Sequence, residues 1–402
     1  MRILVIGGGA AGLAGAITAA ESGGEVILAE GQNRIGKKLL ATGNGRCNLM
    51  NTGAPKYPGG QAFAEKVLSV CGVEQQKRFW HAHGLRLREE QAGRVYPVSG
   101  QASTVLDVLR FSAEAAGVSV FNDTRIKQLT RTANGFVAIG DHGTLRADRV
   151  IVACGGKAQP KLGSDGSGYA LLTSLGHTLI SPVPALTQVE TETRAIAGLS
   201  GIRVRCGVQT ERDAQVTHAE YGEVLFTDYG LSGVCVMQCA RYCTPRTTGI
   251  ALNLAEGMGF DHQTEVISEL KERMRRMAEQ PLERLLTGLC VPRLSDAVFR
   301  AAAVSVKGRS CVSLTDGEIN ALAKTLWRFV LRVTGLKGFD SAQVTSGGIA
   351  CDEFNPRTMA SKMVPGLYAA GEILDVDGDC GGFNLMFAFG SGIIAGTHCA
   401  RD

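Results

Sequence analysis

The 402-residue chain is 45% apolar and 20% charged, with a net charge of +4, the profile of a globular protein with room for two or three domains and a substantial core. So mild a surplus of cations argues against nucleic acid or an anionic membrane as the partner. Its 52 glycines stand against only 11 prolines, which fits many turns and close backbone approaches rather than disorder.

The apolar run Arg2-Ile3-Leu4-Val5-Ile6 leads into Gly7-Gly8-Gly9-Ala10-Ala11-Gly12. A small-residue stretch continues to Ser22, and a second apolar run, Val26-Ile27-Leu28-Ala29, ends on Glu30. Strand, glycine turn, helix, strand, acid is the order of a dinucleotide-binding unit. Gly7 permits the turn, Gly9 lets a pyrophosphate approach the backbone, and Gly12 lets helix and strand pack closely. The N–H groups of the first helical turn, Ala11 among them, offer positive ends to the phosphates. Glu30 stands about where an acid that hydrogen-bonds ribose hydroxyls is expected. Because glycines interrupt residues 1–20 and a strand follows at once, this segment reads as the first βα unit and not as a cleaved leader.

The next stretch, Gly36-Lys37-Lys38-Leu39-Leu40-Ala41-Thr42-Gly43-Asn44-Gly45-Arg46-Cys47-Asn48, mixes glycines, amides and cations in a way that suits an extended ligand lying along the backbone. A solvated surface loop is the plainer alternative. Lys38, Gly43, Asn44, Arg46, Cys47 and Asn48 are the candidate contacts. Arg46 next to Cys47 would lower the pKa of that thiol, unless the cysteine is there only for fit.

Residues 62–115 read as mostly helical, with a polar turn near Gly93-Arg94. Residues 117–147 read as a small β meander that includes Val118–Phe121 and Phe136–Ile139, with Arg125-Ile126 placed to reach the adenine end of the ligand. A third apolar strand, Asp148-Arg149-Val150-Ile151-Val152-Ala153-Cys154, ends in the paired glycines Gly155-Gly156 and is followed by Gly163-Ser164-Asp165-Gly166-Ser167-Gly168-Tyr169. Pro182 and Pro184 mark a boundary. Beyond them the chain is β-rich over 187–255, then helical and charged over 258–335.

Cys235, Cys239 and Cys243 recur every four residues in this part, as core packing on one helical face or as a metal site; packing is the expectation, and no metal is expected anywhere. All twelve cysteines lack a CxxC pair, which fits a reducing, cytoplasmic setting and argues against thiol–disulfide exchange. The densest basic stretch, Lys271, Arg273, Arg275 and Arg276, is interleaved with Glu272 and reads as a solvated helix face. A fourth glycine site comes near the end: Gly371-Glu372-Ile373-Leu374-Asp375, then Gly381-Gly382-Phe383-Asn384-Leu385 and a small-residue helix. No apolar run free of glycine is long enough to span a membrane.

Each of the four glycine sites adjoins a buried strand. Converging at one end of a sheet, they would enclose a ligand larger than NAD, and FAD fits. The expected fold is α/β and Rossmann-like, with nucleotide-domain character over 1–186 and 340–402 and a β-rich plus helical part over 187–339. Gly7, Gly9, Ala11, Gly12, Glu30, Lys38, Gly43, Asn44, Arg46, Cys47, Asn48, Ile126, Gly155, Gly371, Glu372, Asp375, Gly382, Asn384 and Leu385 are its candidate cofactor contacts.

The 36–48 stretch resembles the signature of the BaiN/RdsA family of YhiN-like flavoproteins. So do Gly93-Arg94-Val95-Tyr96-Pro97-Val98-Ser99, Phe226-Thr227-Asp228-Tyr229-Gly230-Leu231-Ser232-Gly233, and the segment from Gly371 to Leu385. The matches span nearly the whole chain. The resemblance implies a bacterial NAD(P)/FAD-dependent oxidoreductase with a glutathione-reductase-type FAD domain over 1–186 and 340–402 and a substrate-side domain, residues 187–339, inserted before the last strand. Two positions depart from the pattern: Asp228 stands where relatives often carry His, and Val234 where they often carry Pro.

Three functions are compatible with these residues. The first is a flavin reductase fed by NADH or NADPH, with hydride passing through flavin N5 to a small organic substrate. Having no second glycine-turn unit, it would bind the nicotinamide transiently over the flavin. The second is an oxidase of an amine or aminoketone that uses oxygen, and the third a flavin-bound module recognising RNA or a protein. In an oxidoreductase, the helix starting near Asn384 would stabilise charge at the flavin N1 and C2 carbonyl. Arg46, Asp228 and Tyr229 are the catalytic candidates, with Tyr229 as proton donor and Asp228 as acceptor. The last two could instead simply shape the turn before Gly230.

Overall fold

A computed structural model describes residues 1–213, 215–243 and 249–401. The chain divides into two compact units, Met1–Pro184 with Phe339–Asp402, and Ala185–Gly338.

The first unit is built on five parallel strands: β1 (Arg2–Ile6), β2 (Glu25–Ala29), β3 (Ser119–Phe121), β4 (Arg149–Val152) and β5 (Leu367–Ala369). Their order is β5-β4-β1-β2-β3. The central strands are buried on both faces, so they appear in sequence as unbroken apolar runs. From β1 the chain winds to β2 and β3 on one side and returns to β4 and β5 on the other. The carboxyl ends of β1 and β4 therefore flank the switch point where open α/β sheets bind ligands. Val118–Phe121, expected in the meander, instead supplies the edge strand β3, paired to Ile27–Ala29. The meander itself is Ile126–Thr132, Gly135–Gly140 and Gly143–Ala147. Residues 62–115 hold three helices, the last being α2 (Ala102–Ala115), but also strands Leu87–Glu89 and Arg94–Pro97, which pair with each other.

Two helices dominate the core of this unit, α1 (Ala10–Glu21) and α3 (Phe383–Arg401). They meet through small residues. A Cβ on Gly392 would lie 2.3 Å from the Ala11 carbonyl oxygen, and one on Gly396 would lie 2.3 Å from that of Gly15. By length and apolarity alone α3 could cross a membrane, but 61% of its most apolar stretch is buried in the protein. It is a core helix.

The second unit carries a seven-stranded antiparallel sheet in the order Phe329–Leu331, Gly249–Asn253, Arg203–Arg212, Gln215–Phe226, Gly230–Ser232, Val189–Thr191, Val333–Leu336. Helices Gln263–Arg276, Pro292–Ala301 and Asp316–Trp327 contribute to its core. The helical expectation for 258–335 runs too far. Residues 329–331 and 333–336 return to the two edges of the sheet, where Phe329 and Leu331 are buried. Their β-branched and aromatic neighbours fit a strand better than a helix.

Candidate functional site

One end of the candidate site is made by glycines that do different work. Gly7 has φ +104°, and a Cβ there would meet the Ala153 carbonyl oxygen at 2.6 Å; a Cβ on Gly12 would lie 1.8 Å from the Gly7 oxygen. Only glycine fits at either position. A Cβ on Gly9 would meet nothing within 4 Å. Gly9 begins α1 with no side-chain cap, so the first-turn N–H groups, including that of Ala11, stand at an open approach for an anion. Gly371 joins them: a Cβ on it would lie 2.8 Å from that of Ala11, and its N–H donates to Ser391 Oγ at 2.9 Å. The first and fourth glycine segments thus come together.

Glu30 closes the next part. Its Oε2 accepts the Gly8 N–H at 2.7 Å and its Oε1 accepts that of Gln32 at 2.8 Å. Burial pushes its pKa above the ordinary carboxylate value, against those two hydrogen bonds. A cleft lies here, lined by Gly7, Glu30, Gln32, Arg125, Ile126 and Gly163. The Thr124 N–H donates to the Glu30 carbonyl at 2.8 Å, which sets Arg125 and the strand beginning at Ile126 against the acid. Arg125 Nη1 lies 2.6 Å from Asp165 Oδ2. Gly155 has φ +73°, and a Cβ on it would lie 3.0 Å from the Ser164 hydroxyl.

On the side of the 36–48 stretch, Lys38 Nζ and Glu372 Oε2 form an ion pair at 2.7 Å, and Glu372 Oε1 accepts the Thr345 N–H at 2.7 Å. Gly43 and Asn44 both have left-handed backbone, φ 56° and 54°. Arg46 turns toward Glu90, 2.7 Å away, with its guanidinium 4.1 Å from the centre of the Tyr96 ring. Cys47 is not activated by Arg46, and the alternative of a small residue chosen for fit holds. Its side chain is fully buried, and desolvation pushes the thiol up to about 12 while its cationic neighbour points to Glu90.

Gly382 needs its glycine, since a Cβ would lie 2.5 Å from the Met50 carbonyl oxygen and 2.8 Å from Asn48 Oδ1. Asn384 is bonded to its own loop: Oδ1 accepts the Gly378 N–H and Nδ2 donates to the Gly378 carbonyl, both at 2.8 Å. Asp375 Oδ1 accepts the Gly347 N–H at 3.0 Å, and Leu385 packs against the core.

Sequence reasoning missed Ser391, Thr345 and Asn51. Asn51 Nδ2 donates to the carbonyls of Ala92 and Gly381 at 3.1 and 2.9 Å, fixing the start of α3, and Thr345 Oγ1 accepts the N–H groups of Lys157 and Ala158. No motif or spacing marks these residues out.

The side-chain atoms present suit a dinucleotide. The α1 N-terminus is open at Gly9, and Asn48 Oδ1, Ser164 Oγ and the Tyr169 hydroxyl are buried with no hydrogen-bond partner in the protein. Buried polar atoms of this kind call for one. Among the described residues no His, Cys, Asp or Glu group could hold a metal ion.

In the second unit, Asp228 is exposed and Tyr229 half-buried in a turn that Thr227 and Gly230 close by mutual hydrogen bonds. The Tyr229 carbonyl accepts the Thr191 N–H, and Lys337 Nζ sits 4.1 Å from the centre of its ring. Cys235, Cys239 and Cys243 are buried in the apolar core there. Lys271, Arg273 and Arg275 are paired with Asp316, Glu269 and Glu272.

Fold and site together define an oxidoreductase with a Rossmann-type FAD-binding domain. The chain belongs to the HI0933-like protein Rossmann domain family, whose sequence profile matches residues 1–398. It is 37% identical to the 3-dehydro-bile acid delta(4,6)-reductase of Clostridium scindens, over 100% of this chain and 99% of that protein. It is 27% identical to the ribosomal RNA dihydrouridine synthase of Escherichia coli, over 99% of this chain and 97% of that one. Among solved structures, the open conformation of a flavocytochrome c3 fumarate reductase shares the fold. Its TM-score is 0.50 at 16% identity, covering 100% of this chain and 78% of the other.

Proposed function

We propose that this protein is an FAD-dependent reductase that moves hydride from NADH or NADPH to a carbon–carbon double bond conjugated to a carbonyl group in a small organic substrate. The observation that carries the reading is the end-to-end likeness, at 37% identity, to a reductase named for the delta(4,6) bonds of a 3-dehydro bile acid. The name of the second relative also denotes reduction of a conjugated double bond, that of uracil in RNA. Bound FAD supplies the two-electron centre. The protein's own part is to hold it: first-turn N–H groups of α1 at the pyrophosphate, Glu30 at the ribose, and Asn48 with the Gly382 turn at the flavin end. The N-terminal turn of α3 would stabilise negative charge developing there. Tyr229 is the proposed proton donor, with Asp228 beside it. The absence of disulfides among twelve free cysteines favours a cytoplasmic setting.

RNA is the second reading, favoured by the dihydrouridine synthase relatives. It ranks lower because three of the four cations of the basic stretch are paired with acids on the protein itself.

Anaerobic rapid mixing of the yellow protein with NADH or NADPH tests the proposal. Fast bleaching of the flavin band, reversed by a steroid enone and not by uridine in RNA, is the expected result. No bleaching by either nicotinamide, with peroxide formed from an amine when the assay is run in air, would replace it with the oxidase reading.

A further inference from the structure

We propose that Arg125 and Asp165 form a clasp over the adenosine end of the cofactor and set how slowly it leaves. The inference rests on the reading of the cleft as an FAD site. Arg125 follows directly on Thr124, whose N–H is bonded to the Glu30 carbonyl, and its side chain lies over Gly31: a Cβ there would be 3.5 Å from the Arg125 Cβ and 3.6 Å from its Nε. Arg125 lines the cleft together with Gly163, Ser167 and Gly168, and its guanidinium reaches Asp165 Oδ2, in the same segment, at 2.6 Å. Asp165 is itself fixed, its Oδ1 accepting the Ser167 N–H at 3.0 Å.

The two residues come from segments 40 positions apart in the chain, one just before the meander and one just before the helix Ser167–Thr173. With phosphates at Gly9 and ribose at Glu30, the base that continues from the ribose falls between these segments. A planar guanidinium held by a carboxylate offers such a base a flat, cationic face at little further entropic cost. Both partners are about one-third exposed, 34% and 29%. The pair can therefore open for entry and exit while still being strong enough to matter.

The test uses the full-length holoprotein and the rate of FAD release, read as recovery of flavin fluorescence on dilution. Asp165→Asn keeps an acceptor for the Ser167 N–H but removes the charge that holds Arg125, and Arg125→Gln removes the cation. Each is expected to speed release about threefold to tenfold. The double variant should be no faster than the quicker single, because both break one contact. Raising salt should accelerate release in the wild type and much less in Asp165→Asn. FMN, which lacks the adenosine half, should bind wild type and variants equally. Unchanged release in both singles, additive effects in the double, or a matching loss of FMN binding would overturn the clasp. A wild-type protein that takes up no FAD would overturn the cofactor reading and the clasp together. Tight FAD binding with unaltered variant rates would overturn only the clasp.

Discussion

Lys38 Nζ lies 2.7 Å from Glu372 Oε2, an ion pair between residues 334 positions apart that ties the second glycine segment to the fourth. Because the other Glu372 oxygen takes the Thr345 N–H, one carboxylate links three parts of the chain beside the site. In Glu372→Gln the amide oxygen still serves Thr345, and only the pairing with Lys38 is lost. Both side chains are partly exposed, so the cost to stability should stay under about 1 kcal/mol, while FAD affinity falls severalfold. Equilibrium denaturation and flavin titration separate the two. A stability loss of several kcal/mol with unchanged FAD affinity would make the pair a support of the fold alone.

Gly9 and Gly12 should respond oppositely to alanine. At Gly9 the added methyl points into open space in the protein itself, so Gly9→Ala should fold with an unchanged melting temperature yet bind FAD at least tenfold more weakly. At Gly12 it would collide with the Gly7 carbonyl, and Gly12→Ala should fail to accumulate as folded protein. Melting curves with and without FAD decide it. A Gly9→Ala variant with normal FAD affinity would remove the phosphates from the α1 N-terminus.

Cys47 should be inert. With its thiol buried and pushed up to about 12, iodoacetamide at pH 8 should leave it unlabelled in the folded protein and label it once the protein is unfolded. Rapid native-state labelling at Cys47, seen by peptide mass spectrometry, would restore the reactive role that its sequence neighbours suggest.

Glu318 links pH to the second unit. Arg309 grips both its oxygens, at 2.6 and 2.9 Å, and the Thr315 N–H adds a third bond at 3.0 Å. These hold its pKa down at about 2, against an ordinary 4.5. The stabilisation is full above about 4.5 and fades as pH falls toward 2, because the unfolded chain takes up the proton first. Glu318→Gln should cost about 1 kcal/mol at pH 7, the usual scale for a lost helix cap, and should flatten the acid limb of the stability curve. An unaltered acid limb would mean that the Arg309 contact carries no stability.

Ser361, His177 and Glu353 are joined as in a nucleophilic triad, with Ser361 Oγ 3.1 Å from His177 Nε2 and Glu353 Oε2 2.8 Å from Nδ1. They should not act as one. The imidazole is buried and stacked on Phe354, and the Ser361 hydroxyl oxygen already accepts the N–H groups of Met363 and Val364, which occupy the lone pairs an attack would need. A fluorophosphonate probe should leave Ser361 unmodified; modification there would reveal a second activity.

The turn after the first strand could be read from the sequence because it depends on backbone. Gly7 and Gly12 are dictated by a turn and a collision, and each leaves a glycine at a fixed offset. Partnerships were harder to see. Lys38 and Glu372 each looked like a group for the cofactor, and nothing in their spacing shows that they face one another. Asn384 looked aimed at the ligand but holds the Gly378 loop. The edge strand Ser119–Phe121 was hidden for a related reason. Three residues are too few for periodicity to assign, and only pairing with β2 distinguishes that strand from the meander that follows.

The glycine contact between α1 and α3 also fixes an order of events during synthesis. The first helix is translated near the start, but the surface it packs on lies between Gly392 and Gly396, more than 370 residues later. Until that segment leaves the ribosome, Ala11 and Gly15 have no mate, and the nucleotide-binding half waits with its apolar face uncovered. The intervening unit, whose core draws on residues 189–336 alone, can be complete by then. Nascent chains stalled before residue 383 should therefore yield a protease-resistant fragment from the middle of the protein, while its two ends remain open to chaperones.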